Sequence, residues 1–355
     1  TTTFHDLVLG ANEGDDHSRP YPFYLAYGIE GPEGTAAGAG LQDLLPLGDP
    51  CDWQAEHKWD GIRGQLIVRG GQHYVWSRGE ELVTDKYPEL EALRRTLPHG
   101  TVLDGELLAW KDGAPLPFAE LQKRIGRKSV GKKLLADVPV IFMAYDLMEH
   151  AGEDIRQRPL GERRALLEGI VAGAQHPVLT LSPTLPFTSW EEIVAHREHA
   201  RTGSIEGLML KRLSSTYEVG RRRGDWWKWK VDPLSIDAVL TFSMQGHGRR
   251  ADLYTDHTFG LWHNGELVTF AKAYSGLTDA EMKEVDAFVK KNTVERFGPV
   301  RQVKAELVFE VAFEGISAST RHKSGVAVRF PRIARSRKDK KAEDANTLDD
   351  LKAMI

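Results

Sequence analysis

Two hydrophobic rhythms divide the chain. Between Ala55 and about Val231, short apolar runs alternate with helical repeats. GQLIVRGGQHYVWSR reads as two strands around a Gly70-Gly71 turn. A helix is expected over Tyr87–Leu97, with Leu90, Leu93 and Leu97 on one face. VLDGELLAW and PVIFMAYDLM have strand length, and RPLGERRALLEGIV has the spacing of an amphipathic helix. Ser189-Trp190-Glu191-Glu192 predicts a capping box opening a helix that stops near Gly203. EGLMLK and DWWKWK close the region as further strands.

After Val231-Asp232-Pro233 the pattern becomes mostly strand. IDAVLTFS (236–243) is followed by TFGLW and ELVTFAKA, which flank the hairpin signal His263-Asn264-Gly265. Thr278-Asp279-Ala280-Glu281 caps a helix carrying Met282, Val285 and Val289, and ELVFEVAF (306–313) and GVAVRF (325–330) add two strands. Three strands, a helix and two strands predict a small five-stranded barrel of the OB type, an architecture that commonly grips nucleic acid in a groove. Residues 1–50 are rich in Gly and Pro, and GPEGTAAGAG (31–40) reads as a flexible linker. The expected organisation is therefore an extension over 1–50, a mixed α+β domain over 51–231 and a barrel over 232–355.

Composition narrows the class. The chain has 355 residues, 28% of them charged, and a net charge of −4. No apolar run approaches the ~20 residues needed to span a bilayer. The start, TTTFHDLVLG, lacks the basic and apolar segments of a secretory signal, and one cysteine, Cys51, can build neither an internal disulfide nor a multi-cysteine zinc site. A cytoplasmic monomer is expected. The absence of an initiating Met suggests a chain processed or cut from something longer. Positive charge is bunched in QKRIGRKSVGKK (122–133), RRRGDWWKWK (221–230) and RFPRIARSRKDKK (329–341), the footprint expected of phosphate binding. Residues 122–133 with Arg249 and Arg250 are the candidates for contacts to nucleic-acid phosphates.

The candidate chemistry begins with EHKWDGIRGQ (56–65), which places Lys58 in a K-x-D-G-x-R pattern. There follow, in order, SRG (77–79), LDGE (103–106), AYDL (144–147), EGLMLK (206–211), KWK (228–230) and RFPRIARSRKDK (329–340). In this ordered set the chain resembles the bacterial ATP-dependent DNA ligases, members of the covalent nucleotidyltransferases, over about residues 20–355. The resemblance implies an ATP-grasp-like adenylation (nucleotidyltransferase) domain followed by an OB barrel, matching the break near residue 232. Many such ligases also carry an N-terminal helical DNA-binding domain, for which residues 1–50 leave no room.

By this resemblance the protein is expected to seal nicks in duplex DNA, using ATP and Mg2+ or Mn2+. Lys58 would carry AMP as a phosphoramidate, which requires a free amine, whereas only about 1 in 10³ unperturbed lysines is neutral near pH 7. Arg78, Lys228 and Lys230, converging on the same pocket, would depress its pKa and neutralise the α-phosphate. Glu56 would lie near the adenine amine, Arg63 would reach the ribose or the DNA end, Glu106 would bind a ribose hydroxyl, and Tyr145 would stack on adenine. Asp60, Asp104 and Glu206 would position reacting groups, with Glu206 and Asp104 as the metal candidates. Arg337, Asp339 and Lys340 would orient the pyrophosphate leaving group, with Val231–Asp237 as a hinge. The single cysteine disfavours the NAD-dependent relatives. An RNA ligase, a capping-type guanylyltransferase and a non-catalytic DNA-binding module on the same scaffold are the alternatives. Gly246-His247-Gly248 lacks the context of a dinucleotide loop and reads as a barrel loop, the histidines show no metal spacing, and no P-loop pattern occurs.

Overall fold

The computed structural model describes residues 17–31, 38–127, 129–200, 205–248 and 251–355. The chain forms two compact units, one ending at Asp232 and the other beginning at Pro233. Both mix strands and helices, in keeping with the α+β class expected.

Two sheets organise the first unit. One has the order Leu179–Leu181, Val140–His150, Thr101–Lys111, Ile62–Arg69, Gln72–Ser77. The other has the order Thr184–Leu185, Trp53–Trp59, Ile205–Arg212, Trp226–Lys230, Tyr27–Gly28. Period-two alternation gives each strand a core face and a cleft face. Leu66, Leu103, Leu107, Phe142 and Ala144 join one apolar core, and Trp53, Ala55, Leu208, Leu210 and Trp229 join another. The residues between them in sequence carry the charged and polar groups: Arg63, Asp104 and Glu106 on the first sheet, and Gln54, Glu56, Lys58, Lys211, Lys228 and Lys230 on the second.

Several sequence expectations change in detail. The Gly70-Gly71 and Asn264-Gly265 pairs do take the left-handed backbone of tight hairpins. The helix expected over Tyr87–Leu97 is a 3-10 turn at Pro88–Ala92 leading into one α-turn at Leu93–Thr96. Its apolar face is nonetheless as expected, with Leu90, Leu93 and Leu97 buried. Ser189 caps the helix Trp190–His199, but the Glu192 carboxylate accepts from the Thr188 amide at 2.6 Å, closing the box one residue earlier. Gly203 lies outside the described residues. Part of the stretch read as an N-terminal extension is sheet: Tyr24–Leu25 pairs with Gly220–Arg221, and Tyr27–Gly28 with Trp227–Lys228. Its aromatic residues drive this, since Tyr24 is fully buried against Tyr217 and Trp226.

The second unit is built on the long strand Leu234–Gln245. Its first half pairs with Val308–Phe313, its second half with Val300–Val303, and its other edge with Tyr254–His263, which in turn pairs with Glu266–Ala273. Arg332–Ser336 pairs with Val308–Phe313, and its Ile333 amide donates to the Ser275 carbonyl at 3.0 Å, bringing the sheet back toward its opening edge. Thr278 and Glu281 form the reciprocal cap expected for the helix Asp279–Lys291. The five-strand count is revised. A hairpin of Thr293–Phe297 and Val300–Val303 follows the helix, and its first strand is too exposed to show buried alternation in sequence. The GVAVRF strand, Val326–Arg329, pairs with Gly315–Ala318 as a separate hairpin, while the basic run supplies the strand Arg332–Ser336.

Candidate active site

Lys58 leaves the cleft face of Trp53–Trp59 and is ion-paired with Glu206. Alternation from Leu208 and Leu210 would turn Glu206 into the core, but the register shifts between Ile205 and Leu208, so Glu206 and Gly207 together oppose Lys58. This β-bulge re-aims the carboxylate at the amine. Gly207 has φ +138°, and a Cβ there would collide with the Trp229 carbonyl, so the Glu-Gly pair is a backbone requirement. Gly61 is needed for a similar reason: a Cβ would lie 2.7 Å from the Glu106 side chain. Asp60 is half-buried in the bend between Trp59 and Ile62.

The expected cations do gather. Lys230 Nζ lies 3.7 Å from Glu206. Lys228 has a pKa lowered by burial first, then by Arg221, Lys58, Lys230 and Arg78. The sequence placed the downward shift on Lys58; the lowering seen is that of Lys228, and Arg221 joins the set around it. Arg78 is exposed and tied in by its amide, which donates to the Arg63 carbonyl at 2.9 Å.

The opposite wall holds Arg63, Asp104, Glu106 and Tyr145. Arg63 grips Asp104 through two hydrogen bonds, 3.1 and 2.6 Å, and donates to the Tyr24 carbonyl at 2.7 Å. Tyr217 adds a hydroxyl donor to Asp104 at 2.7 Å. Arg63 also donates to the Tyr217 hydroxyl at 3.3 Å and is thus held from three sides. Asp104, fully buried with both oxygens engaged, is not a metal ligand, which corrects that expectation. A second register shift, between Asp104 and Gly105, places Tyr145 at a bulge, and the following Asp146 is clamped by buried Arg163 at 2.8 and 2.9 Å. Tyr145 faces Lys211, whose Nζ is 4.5 Å from the ring centroid. Glu56, buried, accepts from Gln54 at 2.7 Å and Lys211 at 2.8 Å.

Glu106 differs from its neighbours. Among the described residues its carboxylate makes no hydrogen bond or ion pair, and burial pushes its pKa up to about 8, opposed by Lys58 and Arg63. A magnesium ion at such a site takes one or two carboxylates plus phosphate oxygens. Glu106 and Glu206, both within electrostatic reach of Lys58, fit that description. Among the described residues no group of three or more His, Cys, Asp or Glu forms a metal cage by itself.

In the second unit, Arg337 donates to both oxygens of Asp237 at 3.0 and 2.8 Å and to Asp339 at 2.9 and 2.7 Å, while Lys340 reaches Asp237 at 2.6 Å. The Asp339 carboxyl is held down at about 2, chiefly by its hydrogen bond from Arg337. Asp237 gathers this set. Residues 234–237 of the expected hinge are already strand, leaving Val231–Pro233 as the connection. In the run 122–133, Arg124 is not at the surface: it is fully buried and paired with Glu89 at 2.6 Å. Arg127, Lys132 and Lys133 are exposed, and Lys128, Arg249 and Arg250 lie outside the described residues.

Sequence reasoning missed Gln54, Lys211, Tyr217, Tyr24, Arg221 and Asp237. Strand alternation carries a signal for two of them, since Gln54 precedes Glu56 by two and Lys211 follows Met209 by two. The others meet their partners only through long-range folding.

The chain is similar to known proteins. A family model described as "ATP dependent DNA ligase domain" matches residues 42–230, and one described as "ATP dependent DNA ligase C terminal region" matches 250–340. A "Probable DNA ligase" of Koribacter versatilis is 39% identical over 315 residues, covering 83% of this chain and 55% of its own length. One from Opitutus terrae is 41% identical over 324 residues, covering 82% of this chain and 32% of its own length. The chain thus spans about half, or less, of these relatives. Among solved structures, "Pmar-Lig_PreS3" superposes with TM-score 0.66 at 17% identity, covering 89% of this chain and 67% of that one. A structure described as "DNA binding with a minimal scaffold: Structure-function analysis of Lig E DNA ligases" gives 0.59 at 17%, covering 90% and 100%. These likenesses support the fold of a nucleotidyltransferase unit followed by an OB barrel. With more than half its length matched by the first family model, the chain belongs to the ATP-dependent DNA ligase family.

Proposed function

We propose that the chain is the catalytic part of an ATP-dependent DNA ligase, sealing nicks in duplex DNA as a cytoplasmic monomer through a lysyl-AMP intermediate. The observation that carries the reading is the bulged strand pair that sets Lys58 against Glu206 with Lys230 beside them.

In the first step Lys58 Nζ attacks the α-phosphorus of ATP. A nitrogen–phosphorus bond forms, the bond to the bridging oxygen breaks, and pyrophosphate leaves. Glu206, already paired with the amine, is placed to take its proton. Lys228 and Lys230 neutralise charge gathering on the α-phosphate. Glu106 and Glu206 would hold Mg2+ or Mn2+, which when bound neutralises charge on the nucleotide phosphates. Arg63, fixed by Asp104 and Tyr24, faces the ribose or the DNA end. AMP then passes to the 5′-phosphate of the nick, and the 3′-hydroxyl displaces it. In the barrel unit, Arg337 and Lys340 act on the leaving pyrophosphate. The DNA backbone is held through phosphate contacts, so binding weakens with salt.

Incubation with α-labelled ATP and Mg2+ is expected to label the protein, and Lys58→Ala to abolish labelling and nick sealing together. A variant that still labels would overturn the assignment. Labelling by GTP in place of ATP would turn the reading toward capping chemistry.

A further inference from the structure

We infer that Lys211 and Gln54 are positioning residues that set which purine the pocket accepts, by pinning one oxygen of Glu56 and leaving the other to face the base. The inference rests on the function proposed above. Both donors, Gln54 Nε2 at 2.7 Å and Lys211 Nζ at 2.8 Å, converge on the same atom, Oε1. The other oxygen, Oε2, takes no hydrogen bond from any described residue. Glu56 and Lys58 are two residues apart on one strand, so both side chains leave the same face. Glu56 therefore stands on the strand face that carries Lys58, the face that the nucleotide must approach.

The arrangement is fixed by backbone register. Gln54 is the antiparallel partner of Lys211, and Glu56 is the partner of Met209. The ammonium is enclosed as well: it lies 4.5 Å from the Tyr145 ring centroid and 4.7 Å from that of Trp226. Glu56 and Lys211 are each 2% exposed at the side chain, so removing either partner would leave the other without a counter-charge in the interior.

The polarity of the recognition follows. A buried lysine presented alone to a purine would favour an oxygen at position 6, as in guanine or hypoxanthine. Here the lysine is committed to Glu56, and what remains is a carboxylate oxygen, which only accepts. Adenine offers an amino donor at that position; a 6-oxo purine offers a second acceptor, and the site's polar group is left opposed. Lys211 and Gln54 together hold Oε1 and so fix which of the two oxygens is turned away.

Covalent labelling of Lys58 with α-labelled ATP, GTP and ITP in parallel tests this, since ITP differs from ATP only in its 6-oxo group and the N1 proton that comes with it, and lacks the 2-amino group of GTP. The wild-type protein is expected to prefer ATP. Lys211→Met is expected to lower the ATP-to-ITP labelling ratio about 10- to 100-fold. Glu56→Gln, which can turn an amide donor toward the base, is expected to lower it similarly, and Gln54→Met, which keeps the ion pair if Lys211→Met fails to fold, to lower it less. A purely structural role would reduce labelling by all three nucleotides alike; a ratio unmoved in the folded variants overturns the inference and leaves the lysyl-AMP reading standing. A wild-type protein labelled by none of the three overturns both.

Discussion

The two units hold their functional charges differently. In the first, three pairs lie in the interior: Arg63 with Asp104, Glu56 with Lys211, and Asp146 with Arg163, the last with neither side chain exposed. In the second, Arg337 and Lys340 gather on one carboxylate, Asp237, and the Asp339 arm is two-thirds exposed. Breaking a one-to-one buried pair leaves an uncompensated charge in a low-dielectric interior, whereas Asp237, itself largely buried, keeps one cation when the other leaves, and water takes over the exposed Asp339 arm. The first unit is thus a rigid mould, and the second presents side chains that can exchange an internal acid for a phosphate.

The largest effect should come from breaking the mould. Asp104→Asn leaves Arg63 without its counter-charge and is expected to destabilise the first unit by about 3–5 kcal/mol, read by denaturant unfolding, and to abolish sealing. Next is Glu106. Its folded pKa of about 8 lies above the ordinary carboxylate value, so the folded state keeps a proton the unfolded state releases. The stability this provides is fully present below the unfolded value near 4.5 and is lost as pH rises to about 8. The slope should approach about 1.4 kcal/mol per pH unit within that window. Glu106→Gln should flatten it, and an unchanged pH profile would show that the group is solvated. The smallest structural effect belongs to the barrel. Arg337→Ala should leave the melting temperature nearly unchanged while slowing adenylation roughly tenfold or more, as for loss of a phosphate-directed charge. A melting shift as large as that of Asp104→Asn would erase the contrast between the units.

What could be read in advance follows the same division. Lys58, the order of the motifs, both tight hairpins and the Thr278 cap are local or periodic signals, and the structure reproduces the local ones directly. Lys211 was in view within EGLMLK but carried no role, because its partner Glu56 lies 155 residues away in sequence. The two bulges were equally silent: alternation alone would send Glu206 to the core, and only the pairing register reverses it. Asp104 looked like a metal ligand because its two donors, Arg63 and Tyr217, come from distant strands and loops. Arg124 shows the converse error. Inside a basic run it reads as surface, yet Glu89 and the backbone carbonyls of Lys86 and Val138 draw it into the interior.

The strand Tyr27–Gly28 has a practical consequence. It lies along the outer edge of the Trp226–Lys230 strand, and Ile29 continues the seal by donating its amide to the Lys228 carbonyl at 3.0 Å. A fragment trimmed to residue 42, where the family match begins, would strip that cover. Bare carbonyls and amides beside Trp227 would then be open to strand addition from a neighbouring molecule. Such a fragment should clump as it is concentrated, so a recombinant form of the first unit should begin upstream of Tyr24.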